Sequence, residues 1–375
     1  MRITKKSVVI AAAVATSVGG FAPAAIAAPN VEKPVIGPGS PLRMPFPSNP
    51  EVEGRHVGNP MCSLAVPGTV VDAEGKSHRV IMTAGHCLKA EDEKTKEKLS
   101  GKYFIPTKHG DVLVGQDGLA TDVMPSEEDI QNTKSAGEFF NTLFNSGDYG
   151  FIEVNDNVET TSISHSVDEF GEVHGEPVQI VGIQDNRTLA PMEISFDNAG
   201  QPVCTDGSRS GRSCGFQMFR VRNGVWAIAP IDHGDSGGNA YNPETREAIG
   251  INSMGLGPIS RFQPADVALE EAYGIPDGQV NERFKVAQSN APQSEFRTID
   301  EDSKFSEQHK PKEGSKLGPI ADVLPEGVEI PDEVGNLIPD LPSPQLPGAG
   351  AEAPSSPSLP GLDSVIGQAG IPNLF

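Results

Sequence analysis

The run Gly234-Asp235-Ser236-Gly237-Gly238 surrounds a single hydroxyl with glycines. Glycine on both sides permits tight, φ-positive backbone and lets another chain segment approach closely. Ser236 is the side chain of this run suited to act as a nucleophile. A serine hydroxyl is weak until a base takes its proton and donors stabilise the oxyanion that forms. A chain built around such a serine therefore needs a poised histidine and a carboxylate elsewhere. The same run also fits the nucleophile elbow of α/β-hydrolases, so the remaining sequence has to choose between two folds.

The histidine stands in Thr83-Ala84-Gly85-His86-Cys87, directly after the strand-like Arg79-Val80-Ile81-Met82-Thr83. Histidine titrates near neutrality and can take and return a proton. His78, His109, His165 and His174 lack such a setting and read as surface or hydrogen-bonded residues. The carboxylate is Asp148 in Gly147-Asp148-Tyr149-Gly150-Phe151-Ile152-Glu153-Val154, where it opens a strand with apolar residues beyond it. A buried acid there can accept from the second ring nitrogen of the histidine and orient it. Asp111, Asp117 and Asp122 are rival acids, but none leads into so clear a strand. The order along the chain is His86, Asp148, Ser236. An α/β-hydrolase runs nucleophile, acid, histidine, and here the sole histidine after Ser236 is His309. The strands also lack the regular intervening helices of a parallel sheet.

Compartment is read from the first residues. Met1-Arg2-Ile3-Thr4-Lys5-Lys6 is basic, the stretch from Ser7 to Ala25 is apolar and small, and Ala25-Ile26-Ala27 suits a cleavage site. This is a secretory signal peptide over residues 1–27, so the protein is expected to be secreted and extracellular. Export makes disulfides the natural use of the four cysteines, Cys62, Cys87, Cys204 and Cys214. Three pairings are possible; the local one, Cys62 with Cys87 and Cys204 with Cys214, is adopted. Neither pair has the short spacing of a structural zinc site. No metal or other cofactor is expected. A formal net charge of −22 argues against nucleic acid as a partner, and no later segment is long and apolar enough to span a bilayer.

Residues 28–55 hold Pro29, Pro34, Pro38, Pro41, Pro45, Pro47 and Pro50 and read as an extended, disordered leader or pro-segment without a core. Residues 56–280 carry the strand signals. Residues 90–98 are a charged, solvated loop, and Ser126 to Phe144 has helical character within an insertion. Val178 to Gly182 is a strand, and Asn223-Gly224 turns a hairpin between Phe216–Arg222 and Val225–Ala229. Ala248 to Gly255 is a strand, and a helix runs from Pro264 to Gly274. Residues 281–375 contain 13 prolines and read as a disordered acidic tail.

Together these motifs resemble the chymotrypsin-like, trypsin-fold serine proteases, and their secreted bacterial streptogrisin and α-lytic branch in particular. Cys62-Ser63-Leu64, Ser210-Gly211-Arg212 and Gln263-Pro264 with Ala272-Tyr273-Gly274 add to the likeness, which covers about residues 56–280. The resemblance implies an all-β fold of two six-stranded antiparallel barrels with a C-terminal helix and a cleft between the barrels. It implies a triad of His86, Asp148 and Ser236, an oxyanion hole from the N–H groups of Gly234 and Ser236, and an acyl-enzyme. Ser253-Met254-Gly255 matches the edge strand that pairs with extended substrate. Protein or peptide substrates and a monomeric enzyme follow from the same likeness.

There are departures. Arg55-His56-Val57-Gly58 is a weak match to an activation cleavage site, and a linker is preferred there. In the bacterial branch an internal arginine pairs with the residue at Asp235, and Arg209 is the candidate by position. Pro230 and Ile231 occupy the place where an acidic residue would select Lys or Arg, so an apolar or small side chain is expected. Two other functions stay open: a catalytically silent binding protein on the same fold, and a wall-associated protein docked through its tail.

Overall fold

In the computed structural model, which describes residues 33–92, 95–121 and 144–309, short strands pair predominantly antiparallel. The C-terminal half closes on itself. Its ring runs Glu247–Leu256, Asn239–Tyr241, Pro202–Gly207, Gly211–Val221, Gly224–Ile228 and Ile259–Pro264, and the last strand pairs with the first. Closure leaves no open edge within the ring. Val203, Ala227, Ala240, Ile249 and Phe262 fill it, all buried. The Asn223-Gly224 turn forms as expected, with Val221 opposite Gly224.

The N-terminal half is built differently from the closed ring. A five-stranded sheet runs in the order Leu119–Ala120, Gly150–Glu153, Ser77–Thr83, Pro67–Val71, Phe284–Val286. A four-stranded sheet runs Met61–Ser63, Pro41–Arg43, Lys102–Thr107, Gly110–Gln116. Among the described residues these remain two sheets, so the expected pair of six-stranded barrels is present as one closed barrel and one split half. Ile81, Met82, Phe151 and Ile152 are fully or almost fully buried here. Each such side chain contributes about 1.5–3 kcal/mol of transfer free energy.

Local signals explain the C-terminal helix. Ala265–Tyr273 begins after Pro264 and ends at Gly274, whose φ of 63° is the left-handed stop that glycine accepts without strain. The strand expected over Val178–Gly182 is two shorter ones, Val178–Gln179 and Gly182–Ile183, in different sheets. The signal-peptide residues, most of the Ser126 to Phe144 stretch and the chain beyond residue 309 lie outside the described residues.

Two expectations about the ends are overturned. The leader is not extended and coreless: Pro41–Arg43 is an inner strand of the four-stranded sheet, and Ile36, Leu42 and Met44 are buried. Arg55–His56 pairs with Glu51–Val52, and Val57 is buried, so this stretch is a hairpin and not a linker. Residues 281–309 are likewise part of the fold. Phe284–Val286 pairs with Pro67–Val71, and a helix spans Ile299–His309. Composition misled at both ends because the partners that bury these residues are far away in sequence. Proline is compatible with strand ends and edges.

Candidate active site

His86 sits on the one-turn helix Gly85–Lys89, which starts where Ser77–Thr83 ends. That strand pairs antiparallel with Gly150–Glu153, with Gly150 opposite Thr83. Residues just before Gly150 therefore lie beside residues just after Thr83, and this register brings Asp148 to His86. The His86 N–H donates to Asp148 Oδ1 at 2.9 Å, and the His86 Nδ1 lies 2.9 Å from Asp148 Oδ2. The Cys62–Cys87 disulfide ties the same helix to the Met61–Ser63 strand. Cys204–Cys214 is the second disulfide, as anticipated.

Electrostatics define the protonation of the pair. Burial would raise the Asp148 pKa, but His86 and the hydroxyl of Ser253 outweigh it and bring it down to about 2. Burial would lower the His86 pKa, but the Asp148 carboxylate more than offsets it and the net shift is upward. An ionised carboxylate can only accept, so the Nδ1 of neutral His86 carries the proton and Nε2 is the free base. The imidazole is 37% exposed while Asp148 is only 1% exposed, so solvent reaches the base and not the acid. Cys62, His86 and Cys87 lie close together, but both sulfurs are committed to the disulfide, which leaves no thiolate for a metal.

The serine loop packs against the same strand end. Ser63 N–H donates to the Ser236 carbonyl at 2.7 Å, and Ser63 Oγ donates to the Gly234 carbonyl at 2.8 Å. Thr83 Oγ1 donates to the Ser63 carbonyl at 2.9 Å. Gly237 has a φ of 83°, and a Cβ there would collide with Thr83 Oγ1 and the Ser63 carbonyl. This contact requires glycine and seats Ser236, which is partly buried, beside the histidine turn. Among the described residues the N–H groups of Gly234 and Ser236 donate to no protein acceptor, and Ser236 Oγ makes no hydrogen bond with His86. Such bonds are often long in the free state and tighten around substrate.

Asp235 is 1% exposed. Its Oδ1 accepts from the N–H groups of Arg209 and Ser210, both at 2.9 Å, and its Oδ2 from Asp232 N–H at 2.9 Å. Burial pushes its pKa up, against the pull of Ser210 and these amides. The expected guanidinium pair is not formed. Arg209 turns its Nε to Glu169 Oε2 at 3.3 Å and lies 3.9 Å from Asp232 Oδ2, so it serves Asp235 through its backbone alone. Backbone amides at hydrogen-bond distance already fill the carboxylate's acceptor sites, which removes the need for a cation.

The remaining sequence candidates fall on neighbouring elements. Ser253, Met254 and Gly255 lie on the barrel strand Glu247–Leu256. Ser253 is buried, and its Oγ donates to Asp148 Oδ2 at 2.6 Å. Ile231 lies against this strand: a Cβ on Gly255 would stand 2.5 Å from the Ile231 carbonyl oxygen and 3.2 Å from its Cγ1. Pro230 is exposed. Two participants escaped the sequence reading. Gln263 accepts from the Asp148 N–H at 2.8 Å. Arg261, 0% exposed, donates from Nη1 to Ser253 Oγ at 2.7 Å. An arginine in a short strand between Ile259 and Phe262 was the available signal.

Residues 76–268 match the family model for trypsin. No curated protein sequence matches the chain. Three solved structures are similar to it at low identity. Protease A of Thermobifida fusca is 17% identical, with a TM-score of 0.38, over 68% of this chain and 100% of that one. A Nocardiopsis protease is 16% identical, with a TM-score of 0.36, over 68% of this chain and 100% of that one. A Cellulomonas bogoriensis chymotrypsin is 16% identical, with a TM-score of 0.34, over the same shares.

Proposed function

Because this chain belongs to the trypsin family, we propose that it is a secreted serine endopeptidase in which Ser236, His86 and Asp148 hydrolyse peptide bonds through an acyl-enzyme. The observation that carries this reading is the Asp148–His86 pair, held at 2.9 Å beside a strand end whose Thr83 hydrogen-bonds Ser63, which in turn hydrogen-bonds the Ser236 loop. Asp148 keeps the Nδ1 proton, which leaves Nε2 as the base.

In the proposed reaction, Ser236 Oγ attacks the substrate carbonyl while His86 Nε2 takes its proton. The carbonyl oxygen becomes an oxyanion, and the N–H groups of Gly234 and Ser236 donate to it. Collapse breaks the peptide C–N bond, and His86 returns the proton to the leaving amine. Water then repeats the sequence on the ester, with the proton again passing through His86. Asp148 orients the ring and stabilises the imidazolium without taking the proton. The strand through Ser253, Met254 and Gly255 pairs with extended substrate, and Ile231, pressed against Gly255, favours a small or apolar residue beside the cleaved bond. The two disulfides suit an extracellular enzyme, with residues 1–27 removed on export. Among the described residues no helix is long and apolar enough to cross a membrane.

A fluorophosphonate probe tests the reading directly. The secreted protein should be labelled, and Ser236→Ala should abolish the label. Folded native protein that takes no label would overturn the endopeptidase and favour a binding protein on the same fold.

A further inference from the structure

Behind the Asp148–His86 pair the chain places a second charge. Arg261 comes from the barrel strand Ile259–Pro264, on the far side of Ser253 from Asp148, and is fully buried. Its Nη1 donates to Ser253 Oγ at 2.7 Å; its Nη2 donates to the Ser146 carbonyl and, at 2.5 Å, to the Asn223 carbonyl. Ser253 Oγ lies 2.6 Å from Asp148 Oδ2. A guanidinium can only donate and an ionised carboxylate can only accept. Ser253 Oγ therefore accepts from Arg261 and donates its proton to Asp148. The result is an ordered line from Arg261 through Ser253 and Asp148 to His86.

We propose that Arg261 is a positioning residue of this site: through Ser253 it fixes Asp148 as an ionised acceptor, and its buried charge sets the pH at which His86 becomes a base. The proposal rests on the endopeptidase reading given above for its catalytic meaning. Among the described residues two charged groups bear on His86 from the elements packed around it: Asp148, which favours the imidazolium, and Arg261, which opposes it. Cys62 and Cys87 also approach His86 but are locked in their disulfide. The phenol of Tyr149, next to Asp148 in the chain, is engaged with Glu271. Without Arg261 only burial would oppose the anion of Asp148, and His86 would stay protonated to higher pH. A cation buried in low dielectric is screened little by salt, so its influence reaches across the two intervening groups.

The test compares native protein, Arg261→Met and Arg261→Lys in the full chain. Two readouts are taken against pH: the rate of inactivation by a fluorophosphonate, and the titration of the His86 ring by NMR. Arg261→Met should move the acidic limb of inactivation and the ring titration upward by on the order of one pH unit. Arg261→Lys, which keeps the charge, should stay near native. Unmoved profiles in Arg261→Met would overturn the proposal, as would an equal shift in both variants. If native protein is not labelled, the endopeptidase reading fails by itself, and the ring titration still decides the role of Arg261. If Arg261→Met does not fold, Arg261→Gln, which keeps an N–H donor for Ser253 and loses the charge, is titrated in its place and should show the same upward shift; an unmoved ring titration in that variant would overturn the proposal.

Discussion

The guanidinium of Arg43 and the carboxylate of Asp302 meet at 2.8 Å in the interior, from opposite ends of the described chain. Asp302 also accepts from Arg297 at 2.6 Å, and Arg297 pairs in turn with Asp111 at 2.5 Å. His56 lies 2.9 Å from the second oxygen of Asp111. This cluster fastens the segment after residue 287 to the four-stranded sheet. Breaking one partner of a buried network leaves an uncompensated charge.

Asp302→Ala should therefore destabilise the protein by about 3–5 kcal/mol, read as a lower urea midpoint with an unchanged slope. Truncation after Ala287 should destabilise at least as much. Truncation after His309 keeps every contact named here and should leave the midpoint in place. A stable protein ending at residue 287 would show that the final segment is dispensable.

Arg209→Met should keep most of the fluorophosphonate reactivity, within a few-fold, because Arg209 reaches Asp235 through its N–H and not through its side chain. Asp235→Ala should behave oppositely. It strands the N–H groups of Arg209, Ser210 and Asp232 without an acceptor, and each buried unpaired donor costs about 1–3 kcal/mol. Loss of labelling in Arg209→Met with folding intact would restore a direct role for the guanidinium.

Stability in acid should depend on Asp148. Its folded pKa of about 2 lies below its ordinary value of 3.8, so its contribution is fully present above that unfolded value. The contribution disappears as pH falls from about 4 toward 2, and its size is on the order of 2 kcal/mol. His86 has the opposite sign. With its folded pKa raised above 6.5, its contribution is present below 6.5 and fades as pH rises through the folded value. Chemical denaturation from pH 2 to 8 should show both slopes in native protein. Asp148→Asn should flatten both and cut kcat by about 10⁴-fold.

On the proposed endopeptidase reading, with Gly255 and Ile231 lining the place of the residue before the cleaved bond, cleavage of a peptide library should favour small or apolar residues there, because Ile231 stands against Gly255. Preference for Lys or Arg would require an anion in that wall, and neither Pro230 nor Ile231 supplies one. Ile231→Gly should broaden the preference toward larger side chains.

Much of the site was legible because its parts announce themselves locally. A strand ending in Thr83-Ala84-Gly85-His86-Cys87, an acid opening the next core strand and a glycine-bracketed serine are each short-range patterns. Their order along the chain separates two serine-hydrolase folds. The ends were harder to read. Of the 13 prolines after residue 281, only Pro292 falls before residue 310, so averaging over the whole segment hid an ordered strand and helix. Phe284 and Val286 alternate over only three residues and Ile299 stands alone, and nothing nearby in sequence reveals what buries them.

Local sequence was enough to single out His86, Asp148 and Ser236, to favour the nearer disulfide pairing among three, and to bound the helix between Pro264 and Gly274. These depend on residue type and on neighbours a few positions away. Only the tertiary structure decided that Arg43 answers Asp302, that Arg261 stands behind Ser253, and that backbone amides satisfy Asp235 in place of a guanidinium. The reason is physical. A buried charge or donor is satisfied by whatever the fold brings within about 3 Å, and that depends on strand register and sheet packing across the whole chain.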